Sequence, residues 1–144
     1  MACPYFLPTG KFENGPWPHP ARLPLGGGWK GCCTAPGCEG YKPTDEELKD
    51  FCNLGYARKC PRYPQAPFAE SIRFGVKCDR EGVLAVTYVT ELDHSPGECG
   101  TVEYDILTGV WTKVHPDARV QKMAGCYLES YLSRRQKTVT PAAS

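Results

Sequence analysis

Nine cysteines in a chain of 144 residues are the side chains most able to do chemistry here, and six of them, Cys3, Cys32, Cys33, Cys38, Cys52 and Cys60, fall before residue 68. Thiols in such number serve as disulfides, as free core residues or as metal ligands. A disulfide framework belongs to an oxidising compartment and usually to an even count. The count here is odd. The opening stretch MACPYFLPTGKFENGPWPHP has neither the basic n-region nor the apolar h-region of a signal peptide. Reduced thiols in a cytoplasmic protein are the expectation. Cys78, Cys99 and Cys126 are expected to be packing residues or incidental thiols: Cys78 on a strand face, Cys99 in a turn, Cys126 on the polar flank of a helix.

The first six are a different case. Residues 1–67 hold 11 of the 14 prolines and 9 of the 15 glycines, with no valine and no isoleucine. Such a stretch needs a source of order beyond an aliphatic core. Four thiolates on one metal centre supply it, because binding free energy becomes folding free energy, on the order of 10 kcal/mol for a small structural zinc site. No C-x-x-C occurs. Its absence argues against a zinc ribbon and a thioredoxin-type redox motif, and leaves the bacterial ferredoxin run unmatched. The spacings are C-x4-C at Cys33 and Cys38, and C-x7-C at Cys52 and Cys60. Irregular spacing in Gly- and Pro-rich loops suits a [4Fe–4S] cubane, since loop amides can point at the sulfurs. Zinc bound as a structural centre of an interaction module is the alternative.

Four ligands must be chosen. Adjacent Cys32 and Cys33 point oppositely in an extended chain, so one of them ligates. Cys33 opens the turn Thr34-Ala35-Pro36-Gly37. Cys60-Pro61 is a Cys-Pro pair like the one closing the bacterial ferredoxin pattern. Cys52 closes a short helix. The fourth ligand is Cys3, which shares the Cys-Pro context and has Tyr5, Phe6 and Leu7 beside it to pin the terminus; Cys38 stands in reserve. With four thiolates no iron is open to substrate, so electron transfer with a redox partner protein is expected rather than catalysis.

Weaker signals are set aside on physical grounds. Gly26-Gly27-Gly28-Trp29-Lys30-Gly31 matches G-x-G-x-x-G but neither follows a strand nor opens a helix, so it reads as a turn that lets the backbone approach something closely. His19 lies between prolines. His94 and His115 sit at strand ends and read as surface residues. Trp17, Trp29, Tyr41, Tyr56 and Tyr63 read as packing around the cysteine loops. No Ser/His/Asp arrangement emerges.

The elements that position these residues follow from periodicity. Thr44-Asp45-Glu46-Glu47 is a capping box, starting a helix whose Leu48, Phe51 and Cys52 share the buried face. Asn53 and Gly55 are placed to end it in a left-handed cap. All 9 valines and both isoleucines lie from Ile72 onward, so strands are expected only in the second half. Ile72–Cys78 alternates, Val83–Glu91 reads as a central strand, Val102–Ile106 alternates, and Val110–Val114 follows a Thr-Gly turn. Turns are expected at 79–82 and at Ser95-Pro96-Gly97. Short connections make a four-stranded antiparallel meander. A C-terminal helix from about Pro116 carries Val120, Ala124, Tyr127, Leu128, Tyr131 and Leu132 as its apolar stripe. The fold class is α+β: one domain with a cysteine-rich region at 1–67, sheet and helix at 68–137, and a flexible tail at 138–144.

Composition bounds the rest. Seventeen basic and sixteen acidic side chains give a formal charge of +1, which offers no field for nucleic acid or an anionic membrane. No apolar run approaches the roughly 18 residues of a membrane span.

Overall fold

The computed structural model describes residues 2–12, 23–53, 60–64, 67, 69–93 and 95–143, with side chains described as far as Arg134. His19, Trp17, Tyr56, Gly55 and His94 lie outside the described residues. The architecture is α+β, with two antiparallel sheets, a short helix in the first half and a long C-terminal helix.

The larger sheet is a meander of β3 (Ser71–Arg80), β4 (Val83–Leu92), β5 (Ser95–Asp105) and β6 (Val110–Lys113), neighbours in that order. Strand β4 is internal, and its Leu84, Ala85 and Val86 are buried. Glu81 and Gly82 both adopt positive φ, 57° and 79°, the two-residue turn whose twist matches a tight hairpin. The second turn falls earlier than the Ser-Pro-Gly signal suggested. Asp93 takes φ 52°, and Ser95 and Pro96 already pair with Leu92 and Glu91. Cys99 therefore lies exposed within β5 opposite Val89, not in a turn.

The first half departs more from expectation. It contains a hairpin of β1 (Phe6–Lys11) and β2 (Trp29–Cys33), despite having no valine or isoleucine. Aromatic side chains replace β-branched ones: Phe6, Phe12 and Trp29 are buried and join Ala2, Leu25, Leu48, Ile72, Val120 and Met123 in one cluster. Gly31 in the second strand and Gly26 ahead of it permit a close approach. A Cβ on Gly31 would lie 2.0 Å from the Leu7 carbonyl oxygen, and one on Gly26 would lie 2.6 Å from the Ser130 Cβ.

The long helix α2 (Ala118–Ala143) has two buried faces. Ala124 and Leu128 meet Leu84, Val86 and Val102 of the sheet. Val120, Met123 and Cys126 meet the aromatic cluster of the hairpin side. Cys126 is thus buried, contrary to its expected place on a polar flank, because the hairpin covers that flank. The helix runs as far as Ala143. Among the described residues, no helix is long and apolar enough to cross a membrane.

Candidate metal centre

The four candidate cysteines, Cys3, Cys33, Cys52 and Cys60, lie on four chain segments. The first is the N-terminal segment. Ala2 and Ile72 exchange two backbone hydrogen bonds, each 2.9 Å, which fastens the terminus to β3. The Cys3 amide then donates to the Cys52 carbonyl at 3.1 Å. The second is the end of β2, where Cys33 pairs with Phe6 on one side and bridges to Tyr41 on the other. Its amide donates to the Tyr41 carbonyl at 2.8 Å, and the Gly40 amide returns to its carbonyl at 2.9 Å. That closes the Thr34–Gly40 turn, which also carries Cys38.

The third segment is the short helix. Thr44 and Glu47 form the expected capping box: the Glu47 amide donates to Oγ1 of Thr44 at 3.2 Å, and the Thr44 amide to Oε1 of Glu47 at 2.9 Å. After α1 (Asp45–Glu47) the chain widens into a π-helical turn, Leu48–Cys52, which ends in a right-handed Asn53, φ −94°; Gly55 of the expected left-handed cap lies outside the described residues. The wider turn frees the Asn53 side chain for another use. Wholly buried, its Nδ2 donates to the Trp29 and Leu48 carbonyls, both at 2.9 Å, and its Oδ1 accepts the Trp29 amide at 3.0 Å. One amide thereby ties the turn bearing Cys52 to the strand bearing Cys33. The fourth segment carries Cys60, whose carbonyl accepts the Tyr63 amide at 3.0 Å.

Cys60 acts electrostatically on Cys3, Cys33 and Cys52, Cys33 acts on Cys3, and Cys3 and Cys33 act on Cys52, in each case opposing ionisation. Burial is the larger cause: it pushes Cys3 up to about 12 and also raises Cys52 and Cys33. Opposing burial, backbone amides donate to sulfur. Tyr5 and Phe6 act on Cys3, and the Ala35 amide reaches the Cys33 Sγ at 3.4 Å. Such donors favour a thiolate. All nine cysteines are free of disulfides, and Cys38 interacts with Cys33 from the turn. Cys32 faces away from Cys33 on β2, opposite Leu7. Among the described residues, no group of three or more His, Cys, Asp or Glu is placed to hold a metal ion.

Two arginines border this set, and neither was legible from spacing. Arg62 stacks on the Tyr41 ring, 3.9 Å from its centroid, pairs with Glu47 and favours the Cys33 thiolate. Arg119, from α2, donates to Asp117 through Nε and Nη2 at 3.1 and 2.8 Å and to Thr34 Oγ1 through Nη1 at 3.2 Å. The fork of Arg119 holds the Asp117 carboxyl below its usual value.

His115, expected at the surface, is buried against the Tyr88 ring. Its Nδ1 accepts the Asp117 amide at 2.9 Å and its Nε2 meets Glu98 Oε1 at 2.6 Å. Cys78 is half-buried in β3. No family model, curated protein or solved structure matches this chain.

Proposed function

We propose that Cys3, Cys33, Cys52 and Cys60 bind one [4Fe–4S] cluster and that the protein passes single electrons to a redox partner protein. The observation that carries this reading is the electrostatic linkage of four free thiols from four separate segments. Amides aimed at the Cys3 and Cys33 sulfurs add support, because hydrogen bonds to thiolate ligands tune such centres.

When bound, the cluster supplies one-electron storage. The protein's own residues set its surroundings. Phe6, Trp29 and Ile72 pack with Cys3 and Cys52 and keep water from that side. Cys33 ends strand β2, and all four of these cysteines are half-buried.

Anaerobic purification followed by iron, sulfide and zinc analysis tests this. Iron and sulfide in equal amounts, with broad visible absorption, are expected; zinc would leave the protein colourless. Cys3→Ala, Cys33→Ala, Cys52→Ala and Cys60→Ala should each lose the metal, while Cys78→Ala, Cys99→Ala and Cys126→Ala should keep it. Full occupancy in Cys52→Ala or Cys60→Ala would overturn the reading. Full occupancy in Cys3→Ala with loss in Cys38→Ala would exchange the fourth ligand.

A further inference from the structure

A groove of about 530 Å³ lies between the β1–β2 hairpin and the segment that leads into α1. Thr9, Lys11 and Lys30 line it from the hairpin; Lys42, Asp45 and Leu48 line it from the other side. No described cysteine takes part. Three lysines and one carboxylate meet here in a chain whose 17 basic and 16 acidic side chains nearly cancel, so the positive charge is local. Among the described residues, Lys30 and Lys42 pair with no carboxylate. Lys11 reaches Glu129 only at 3.9 Å, with the two side chains 48% and 61% exposed, a contact worth little. Both walls are held in place. The Lys30 stem lies along Gly10, where a Cβ would stand 3.2 Å from the Lys30 Cε. The Cys33 amide, bonded to the Tyr41 carbonyl, fixes the chain just before Lys42. The Asn53 side chain joins Leu48 to Trp29, the neighbour of Lys30. The lysine backbones are therefore set before a ligand arrives, which spares part of the ordering cost of binding.

We propose that this groove binds a small organic phosphate ester, with Lys11, Lys30 and Lys42 around its anionic oxygens. Ammonium groups act on phosphate as point charges with three donors each, so three of them from separate segments suit a compact, multiply charged anion. Thr9 adds a hydroxyl, whose bond to the Lys30 carbonyl is long at 3.5 Å. The volume is that of an ordinary small-molecule site and leaves room for an organic body beside the phosphate. Buried Phe12 and Leu48 supply the apolar part of the lining. Asp45 acts against the anion. A long polyanion is disfavoured, because the near-neutral chain offers no extended field beyond the groove. This proposal is independent of the metal reading, and either can fail alone.

The test is a calorimetric titration of the full chain with phenyl phosphate at constant ionic strength, with phthalate as a carboxylate of matched charge. One saturable site per chain is expected, with phthalate binding more weakly. Lys30→Gln and Lys42→Gln should each weaken phenyl phosphate about tenfold, as loss of one charge-assisted hydrogen bond does. Asp45→Asn removes the groove's own carboxylate and should tighten binding about twofold. A misfolded variant does not bind more tightly, so this gain separates charge from structure. Lys113→Gln removes the same charge from β6, outside the groove, and should leave binding unchanged. Four results would each overturn the proposal: no saturable binding by the wild type, unchanged binding in Lys30→Gln and Lys42→Gln, equal weakening by Lys113→Gln, or phthalate bound as tightly as phenyl phosphate. Preference for a single-stranded oligonucleotide over phenyl phosphate would also overturn it, in favour of a nucleic-acid surface.

Discussion

Asn53 shows how much of the site depends on one side chain. It satisfies both backbone groups of Trp29 and one of Leu48 with no exposure to water. Asn53→Ala removes this partner from the Trp29 amide and carbonyl, while the Leu48 carbonyl keeps the backbone amide of residue 53, and a buried orphan costs about 1–3 kcal/mol. A fall in the denaturant midpoint equivalent to about 3 kcal/mol is expected, together with faster loss of metal to a chelator. Unchanged stability would mean that the turn bearing Cys52 is held some other way. Cys126 offers a pH readout away from the centre. Burial pushes its thiol up to about 12, so between the unfolded value, about 8.5, and 12 only the unfolded chain loses this proton. Stability is fully present below that window and declines as pH rises through it. Cys126→Ala should therefore flatten the alkaline arm of a pH–stability profile measured by urea unfolding, even though it lowers stability at pH 7. An arm as steep as wild type would place Cys126 in water.

At the scale of elements, the β1–β2 hairpin is the part least legible in composition. Counting β-branched residues pointed away from strands, whereas burial of Phe6 and Trp29 made them. The glycine-rich stretch, whose reading as a place of close backbone approach holds, shows why this hairpin tolerates no side chain at Gly31. Gly31→Ala puts a methyl group against the Leu7 carbonyl at 2.0 Å, contact that only backbone movement relieves. It should cost several times more than Gly37→Ala, where nothing lies within 4 Å and only the positive φ of 82° is strained, worth about 1–2 kcal/mol. Equal melting temperatures for the two variants would contradict the strand pairing. The capping box, by contrast, was readable from four consecutive residues, because both of its hydrogen bonds are local.

For the molecule as a whole, composition suggested a first half whose order depends on the proposed metal and that would loosen as a unit without it. The packing argues otherwise. The hairpin shares one apolar cluster with Ile72 of β3 and with Val120 and Met123 of α2. Amide exchange after verified metal removal should rise in the 34–41 turn and at 60–63, while amides of Phe6–Lys11 and Trp29–Cys33 stay as protected as those of α2. Early exchange across the whole hairpin would show that the metal, not this cluster, organises it.

Sequence alone was enough for what depends on near neighbours and on period: the meander, the buried strand β4, the capped helix, the α+β class, and the separation of Cys32 from Cys33 by strand alternation. It was also enough to single out Cys3, Cys33, Cys52 and Cys60 as candidates to be weighed together. Tertiary structure decided what depends on distant partners. Gly31 meets Leu7, Asn53 reaches Trp29, and Arg119 arrives from α2 beside Thr34, 85 residues earlier. It also buried Cys126 and His115, because a residue's exposure is set by what packs over it. Spacing along a chain carries no record of that covering surface. Local hydrogen bonds and alternation need only a few consecutive residues, whereas a shared core needs the folded chain.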